Sequence, residues 1–323
     1  MSTPQGQRCW RFSGGTPVHE ELVADLRKLA PVRLDEPMSR HTTFGIGGPA
    51  DVYVAVRSDD QLRFAFALGK RHGAPVLLFG SGSNILVGDG GVRGLVIENQ
   101  NSEVQGPEPN GKGFKVRVGS GMSFSTLARR LAGAGFEGVE WAAGIPGSMG
   151  GAVVTNAGAY GRSLRDVLVA ARVSDEQGLI KELRPRHLNL GYRSSAFAQG
   201  EMADRVVLSV DLRVYEGDAV QLKTRIKEFD SQRRGAQPPG RNCGSIFKNP
   251  PDMSAWQYVD AVGLRGHRVG NAQYSELHSN FILNLGGATA ADVTALIRVA
   301  QERVRDDFGV ELQPEVIFVG EFA

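Results

Sequence analysis

The chain is poor in cysteine: Cys9 and Cys243 are the only two among its 323 residues. Two distant cysteines provide neither a disulfide framework nor the paired spacing of a zinc site. Long apolar runs are also missing, because even the run from Val206 to Val210 is ended by Asp211, far short of the ~20 residues that a membrane helix needs. Charge is nearly balanced, with 37 Lys and Arg against 35 Asp and Glu, so no broad basic surface indicates nucleic acid or an anionic membrane. These absences predict a cytoplasmic protein that binds a small molecule and no metal.

Composition divides the chain into three parts. Residues 1–19 are polar, are interrupted by glycine and proline, and lack the apolar run of a signal peptide, so we expect a flexible N-terminal tail. A change of composition near Gly217 predicts a boundary between residues 20–216 and a smaller C-terminal domain, residues 217–323. The last strand, EVIFVG, is a candidate for returning to the first domain. The alternation of helical and strand patterns predicts an α+β fold.

Local patterns predict several elements. Ser58 is placed as the N-cap of a helix that runs to Gly73, between a strand that ends near Val56 and the strand PVLLFG. This β-α-β order predicts a parallel pair of strands. Residues 106–113 are rich in Gly and Pro and are predicted to form a loop, and residues 167–184 a hairpin.

Two glycine-rich segments indicate a binding site. GSGSN, residues 80–84, directly follows the strand PVLLFG, and residues 143–161 contain six glycines in nineteen positions, too many for a predicted helix or strand. Free backbone amides without obstructing side chains form a natural cradle for a diphosphate. A Rossmann fingerprint would open a helix here, whereas residues 85–87 continue as a strand. Plain structural turns remain the alternative reading.

Three distant motifs carry residues with chemical potential. GYRSS contributes Arg193, CGSIFKNPP contributes Ser245, and QPEV contributes Glu315, each in a turn or at a strand end. Together such side chains can hold a carboxylate, donate a proton and stabilise charge. The alternatives are a surface arginine, a serine that caps a turn, and an edge-strand glutamate. Cys243 has no histidine placed in sequence to activate it, and His41, like the other loop histidines, is interpreted as a loop or packing residue.

Seven motifs occur in one order from about residue 34 onward: TTFGIGGPAD, GSGSNILV, AGIPGSMGGAVVTNAGAYG, GYRSSAF, GSIFKNP, NAQYSELHSNFILN and QPEVIFVG. They resemble the UDP-N-acetylenolpyruvoylglucosamine reductase (MurB) family, in its short-loop type II subgroup. The resemblance implies a VAO/PCMH-type FAD-binding fold in residues 20–216, followed by a smaller α+β substrate-binding domain. It also implies a bacterial cytoplasmic flavoprotein that holds FAD non-covalently and uses NADPH as co-substrate. The reaction is the reduction of UDP-N-acetylglucosamine enolpyruvate to UDP-N-acetylmuramate for peptidoglycan, and we expect a monomer.

The resemblance places catalytic roles on Arg193, Ser245 and Glu315. Hydride from N5 of the reduced flavin goes to the enolpyruvyl methylene, and the resulting enolate charge on the carboxylate is met by the arginine fork. Ser245 then protonates the neighbouring carbon, with Lys248 as a candidate to stabilise its alkoxide. Glu315 either orients Arg193 or, when protonated, shares the charge; the sequence leaves both readings open.

By the same resemblance, substrate contacts come from Tyr192, Lys248 and Asn249. The short chain between Arg193 and Ser245 leaves no counterpart for the tyrosine that long-loop relatives present to the substrate diphosphate, and Gly45 stands where many relatives have a basic or polar side chain. The expected flavin contacts are Gly47, Gly80, Ser81, Gly82, Ser83, Asn84, Ile85, Ala143, Gly144, Pro146, Gly147, Ser148, Gly150, Gly151, Asn156, Gly158 and Ala159.

Two other functions remain open at this point. A FAD-dependent sugar or hydroxy-acid oxidase or dehydrogenase of the same flavin fold often anchors its flavin through a histidine in the first glycine loop, and GSGSN has none. A nucleotide-binding regulatory module would tolerate changes of Arg193, Ser245 and Glu315.

Overall fold

The computed structural model describes residues 20 to 322, and the expected N-terminal tail lies outside them. Helices and strands are mixed throughout the described residues, which confirms the predicted α+β class. The helices are α1 (Glu20–Arg27), α2 (Asp59–Arg71), α3 (Phe124–Gly133), α4 (Met149–Thr155), α5 (Ala219–Ala236), α6 (Ala255–Ala261) and α7 (Ala290–Phe308). The strands are β1 (Val32–Pro37), β2 (Pro49–Val56), β3 (Val76–Phe79), β4 (Ile85–Val87), β5 (Val92–Asn99), β6 (Val104–Asn110), β7 (Gly113–Gly119), β8 (Phe136–Glu137), β9 (Gly158–Ala159), β10 (Arg162–Ser163), β11 (Leu168–Asp175), β12 (Ile180–Leu183), β13 (Arg205–Glu216), β14 (Arg268–Val269), β15 (Ala272–Tyr274), β16 (Ile282–Asn284) and β17 (Ile317–Val319).

The first sheet has the strand order β1-β2-β5-β3. Ser58 caps α2 as predicted, because its hydroxyl accepts a hydrogen bond from Gln61 N at 3.2 Å. The chain returns through α2 to a parallel strand, but β2 and β3 are not neighbours, and both pair with β5 between them. The two strands are parallel as predicted, but β5 separates them, so they do not pair with each other. The three consecutive buried residues Leu95, Val96 and Ile97 suit β5 to a central position with both faces covered.

The second sheet is antiparallel, with the order β12-β11-β13-β7-β6 and β8 added beside β13. The predicted hairpin of residues 167–184 is confirmed as β11 and β12. The loop predicted for residues 106–113 is wrong, because most of it belongs to β6 and β7. Proline is tolerated in β6 because that strand lies at the edge of the sheet, where not every N–H is needed for pairing.

The segment of residues 143–161 also differs from its prediction. It contains the short helix α4 and the small hairpin of β9 and β10. The side chain of Ser148 caps α4, and Met149, Ala152 and Val153 are buried in the core beneath the second sheet. Burial of one apolar face therefore stabilises a helix that its glycine content argues against.

The C-terminal residues build a separate core around α6, α7 and the β14-β15-β16 sheet. Phe44 and Ile46, from the turn before β2, are buried in this core. Strand β17 then pairs in parallel with β4, which follows the GSGSN loop. The C-terminal end of the chain thus lies beside the first glycine-rich segment. Between residues 20 and 322, no helix is both long and apolar enough to cross a membrane.

Candidate active site

A cavity of about 520 Å³ lies where the two sheets and the C-terminal core meet. Its walls come from the residues after β3, from α4, from β13, from the end of α5 and from the segment around Ser245. A second cavity, of about 450 Å³, contains none of the predicted site residues and is lined by charged side chains such as Arg225, which lies 3.7 Å from both Glu137 and Glu140. The first cavity is therefore the candidate active site.

Most of the predicted flavin contacts line this cavity. Gly80 requires its missing side chain, because a Cβ there would lie 2.1 Å from Ser148 Oγ, and at Gly82 a Cβ would lie 2.2 Å from the carbonyl oxygen of His41. Gly82 also has a φ of +60°, which favours glycine. The lining residues among those predicted are Gly80, Ser81, Gly82, Ser83, Asn84, Ile85, Pro146, Gly147, Ser148, Gly150, Gly151, Gly158 and Ala159.

Four predicted flavin contacts lie outside the cavity wall. Gly47 packs against β4, where a Cβ would lie 2.8 Å from Val87 Cβ. The Ala143 carbonyl accepts a hydrogen bond from Arg129, and Gly144 packs against Arg233. Asn156 ends α4 in the left-handed conformation, and its side-chain amide donates to the Gly191 carbonyl at 2.9 Å. These four residues therefore stabilise the backbone of the segments next to the cavity and do not line it themselves.

The predicted substrate contacts also lie outside the wall. Tyr192 is 69% exposed, with its ring 5.8 Å from the guanidinium carbon of Arg193. Lys248 donates its backbone N–H to Gln313, while Asn249 Oδ1 accepts from Ala255 N. The structure therefore places these three residues around the cavity rather than in its lining.

The cavity suits the expected flavin dinucleotide. Residues 80–83 and residues 147, 148, 150 and 151 are all glycine or serine, so backbone amides can approach a diphosphate closely. Leu78, Ile145 and Val206 supply apolar surface on which rings can pack. The volume falls in the range of roughly 300–1,000 Å³ that is typical of small-molecule sites. The residues present therefore fit FAD.

All three predicted catalytic residues line this same cavity. Nε of Arg193 is buried and forms an ion pair with Oε1 of Glu315 at 2.9 Å, although its N–H direction departs from a straight hydrogen bond. Arg193 also has a φ of +49°, a strained conformation for a side chain of this size. Ser245 is half-buried and follows Gly244, whose φ is +83°. The fold therefore brings residues 193, 245 and 315 together at one cavity, with the Arg193–Glu315 ion pair in its wall.

Burial perturbs the ionisable groups of the site. It raises the pKa of Glu315, and the charges of Arg193 and Lys248 offset only part of that rise. Burial also raises the pKa of Cys243 to about 12, so its sulfur remains a thiol at neutral pH. The pKa of Arg233 is lowered, first by burial and then by the like charge of Arg193.

Arg233 and Gln237 are lining residues that the sequence reasoning missed. Nε of Arg233 donates a hydrogen bond to Gln237 Oε1 at 2.7 Å, at the point where α5 ends. The sequence shows this region as a charged helix with an ordinary solvated face. The one available signal is its position directly before the GAQPPG run, which leads into the Ser245 segment.

Comparison with known protein families matches two separate stretches of the chain. Residues 50–184 match the model of an FAD binding domain, and residues 236–319 match that of the UDP-N-acetylenolpyruvoylglucosamine reductase C-terminal domain. The chain is 41% identical to the UDP-N-acetylenolpyruvoylglucosamine reductase of Rubrobacter xylanophilus over 92% of this chain and 98% of that one. The corresponding protein of Lachnoclostridium phytofermentans is 39% identical, over 90% and 93% of the two chains. The crystal structure of the Thermus caldophilus UDP-N-acetylenolpyruvylglucosamine reductase superposes with a TM-score of 0.73 at 35% identity, over 90% of this chain and 99% of that one.

Proposed function

The chain belongs to the UDP-N-acetylenolpyruvoylglucosamine reductase family, and from this membership we propose how its cavity performs the family's reaction. The protein is an FAD-dependent oxidoreductase that uses NADPH to reduce UDP-N-acetylglucosamine enolpyruvate to UDP-N-acetylmuramate, a step of peptidoglycan precursor synthesis. When bound, the flavin supplies the hydride. The chain's own residues must hold the substrate, stabilise the charge that develops and deliver one proton.

Arg193 is proposed to bind the carboxylate of the enolpyruvyl group. The observation that carries this role is the guanidinium of Arg193 in the cavity wall, which pairs through Nε with Glu315 Oε1 at 2.9 Å and so leaves its terminal nitrogens for a ligand. A ligand carboxylate would accept charge-assisted hydrogen bonds from these terminal nitrogens. As hydride arrives at the methylene, negative charge spreads onto the carboxylate, so the same contact strengthens where catalysis needs it.

Glu315 is proposed to orient Arg193 in the free enzyme and to carry a proton in the substrate complex. Its carboxylate lies 2.9 Å from Arg193 Nε, and burial already raises its pKa. A second carboxylate in the same cavity raises that pKa further, because two like charges disfavour ionisation. A protonated Glu315 would then donate a hydrogen bond to the developing enolate.

Ser245 is proposed to deliver the proton to the carbon beside the carboxylate. A hydroxyl is small enough to approach that carbon from one face, and the residue lines the same cavity as Arg193 and Glu315. Cys243 also lines the wall but is a weak acid there, since its pKa is about 12. Lys248, whose charge acts on Glu315, is proposed to stabilise the serine alkoxide from outside the wall.

The proposed placement of the ligands follows the two parts of the chain. Residues 80–84, 146–148, 150 and 151 would hold the flavin, and the smaller part of the chain after residue 217 would hold the uridine diphosphate sugar, with Tyr192 and Asn249 at the rim. We propose a monomer, since one chain supplies all three catalytic residues. A cytoplasmic location is proposed because nucleotide-activated precursors and NADPH are available there.

Ser245→Ala tests this assignment. The variant should keep FAD and still let NADPH reduce it, while reoxidation by the enolpyruvyl sugar slows by about 10² or more, the typical effect of losing one general acid. Thr155→Val is the matched control, because it removes a hydroxyl from the same cavity wall at a residue outside the proposed flavin loops and leaves the proposed proton donor in place. Stopped-flow absorbance of each half-reaction separates the two effects. Normal reoxidation in Ser245→Ala would rule out the proton-transfer role.

A further inference from the structure

His41 lies in a polar cluster that the reaction does not use. Its Nε2 is 2.9 Å from Glu36 Oε1, and its Nδ1 is 2.8 Å from Glu98 Oε2. The Tyr53 hydroxyl also donates to Glu98, and its ring lies 4.4 Å from the imidazole. The side chain of His41 is only 13% exposed, and those of Glu36 and Glu98 are 9% and 16% exposed. An imidazole is therefore enclosed between two carboxylates in the first sheet.

The hydrogen bonds require a charged ring. Ionised carboxylates can only accept, so both ring nitrogens must donate, and only the imidazolium has two N–H groups. The groups that face the ring are Glu36 and Arg33 from β1, Tyr53 from β2 and Glu98 from β5. With His41 protonated, two positive charges balance two negative ones. A neutral ring would leave a largely buried cluster with one unbalanced negative charge, which is unfavourable.

The backbone beside this ring holds both halves of the active site. The carbonyl of His41 approaches Gly82 so closely that a Cβ on Gly82 would lie 2.2 Å away. Thr43 donates its N–H to the Gly82 carbonyl at 3.1 Å and its hydroxyl to the Asn242 carbonyl at 2.8 Å. Gly82 belongs to the proposed flavin loop, and Asn242 lies three residues before Ser245. The turn after His41 therefore connects the cofactor wall to the segment that carries the proton donor.

We propose that His41 is a positioning residue whose charged ring, fixed between Glu36 and Glu98, holds the flavin loop and the Ser245 segment at their working separation. The inference rests on the proposed function only in taking residues 80–84 as part of the flavin site. Loss of the ring charge releases the turn from the first sheet. Flavin affinity then falls although no residue that touches the flavin has changed.

The test compares the FAD dissociation constants of the apo-protein variants, measured by flavin fluorescence at one neutral pH. His41→Gln should weaken FAD binding by about tenfold or more, the scale expected when a buried charge pair loses one partner. The double variant His41→Gln/Glu98→Gln restores charge balance and should recover most of the lost affinity and thermal stability. His72→Gln is the matched control, since His72 is also partly buried beside a carboxylate, Asp25 at 3.4 Å, on the far end of α2.

Affinity of His41→Gln equal to wild type, or a double variant no better than the single one in both affinity and melting temperature, would overturn the inference. If the single variant is too unstable to purify, a double variant that also fails to purify or to bind FAD would overturn the inference. Wild-type protein that takes up no FAD would instead contradict the proposed function.

Discussion

Gly80→Ala should disturb the cofactor wall through one identifiable contact. A Cβ at residue 80 would lie 2.1 Å from Ser148 Oγ and 2.5 Å from Ser148 Cβ, distances that packing does not allow. Ser148 must then rotate away, and its hydroxyl no longer accepts from Gly151 N at the start of α4. Losing an N-cap costs about 1 kcal/mol, and residual overpacking about 1 to 3 kcal/mol. We therefore expect the free energy of unfolding to fall by roughly 2 to 4 kcal/mol.

A double-mutant cycle isolates that contact. Ser148→Gly alone removes the capping hydroxyl and the atoms that would clash, and because glycine is itself tolerated at an N-cap it should cost only a few tenths of a kcal/mol. Gly80→Ala/Ser148→Gly should then be more stable than Gly80→Ala, by roughly the overpacking contribution of 1 to 3 kcal/mol. Urea unfolding of the apo-protein measures stability, and flavin fluorescence measures FAD affinity in parallel. Strict additivity of the two single changes would refute the reasoning, because it would mean that the two positions do not touch.

Three further predictions concern the site chemistry. Arg193→Lys should lower kcat by about 10², because a point charge cannot reproduce the two parallel hydrogen bonds of a guanidinium. Near-native steady-state turnover of this variant would count against the proposed contact between Arg193 and the substrate carboxylate. Burial raises the pKa of Glu315, so the wild-type protein loses stability as pH rises from about 4 through that raised pKa. Glu315→Gln has no such carboxyl, so its melting temperature relative to wild type should increase over the same range. A melting-temperature difference between Glu315→Gln and wild type that stays constant with pH would contradict the raised pKa of Glu315. Cys243→Ala should retain turnover, since a thiol with a pKa of about 12 is not a nucleophile at neutral pH; a large loss of kcat with intact FAD binding would oppose this.

The fold was predictable from the sequence where local chemistry decides the structure. The cap at Ser58 and the hairpin of residues 167–184 follow from neighbouring residues, and both are present. Helix α4 was not predictable from the composition of residues 143–161, because its stability comes from burying Met149 and Val153 against residues distant in sequence. Strand β5 likewise enters between β2 and β3 through long-range pairing that no local pattern specifies.

The residues of the candidate site also fall into those that the sequence predicts and those that it does not. The glycines at 80 and 82 were expected from their motif, and the close approaches of Ser148 and His41 now give the physical reason for each. Arg233 was missed because it reaches the cavity only through the packing of α5 beside residue 144. The role inferred for His41 also depends on partners in three separate strands, a tertiary arrangement that its own sequence neighbourhood does not encode.

The most direct test of the account is the anaerobic visible spectrum of the purified protein during two successive additions. NADPH should bleach the flavin absorbance, and UDP-N-acetylglucosamine enolpyruvate should then restore it, since the two half-reactions share one cofactor. Flavin that bleaches but is not reoxidised by the enolpyruvyl sugar would contradict the assigned substrate. Protein that binds no flavin at all would contradict the assignment of the cavity itself.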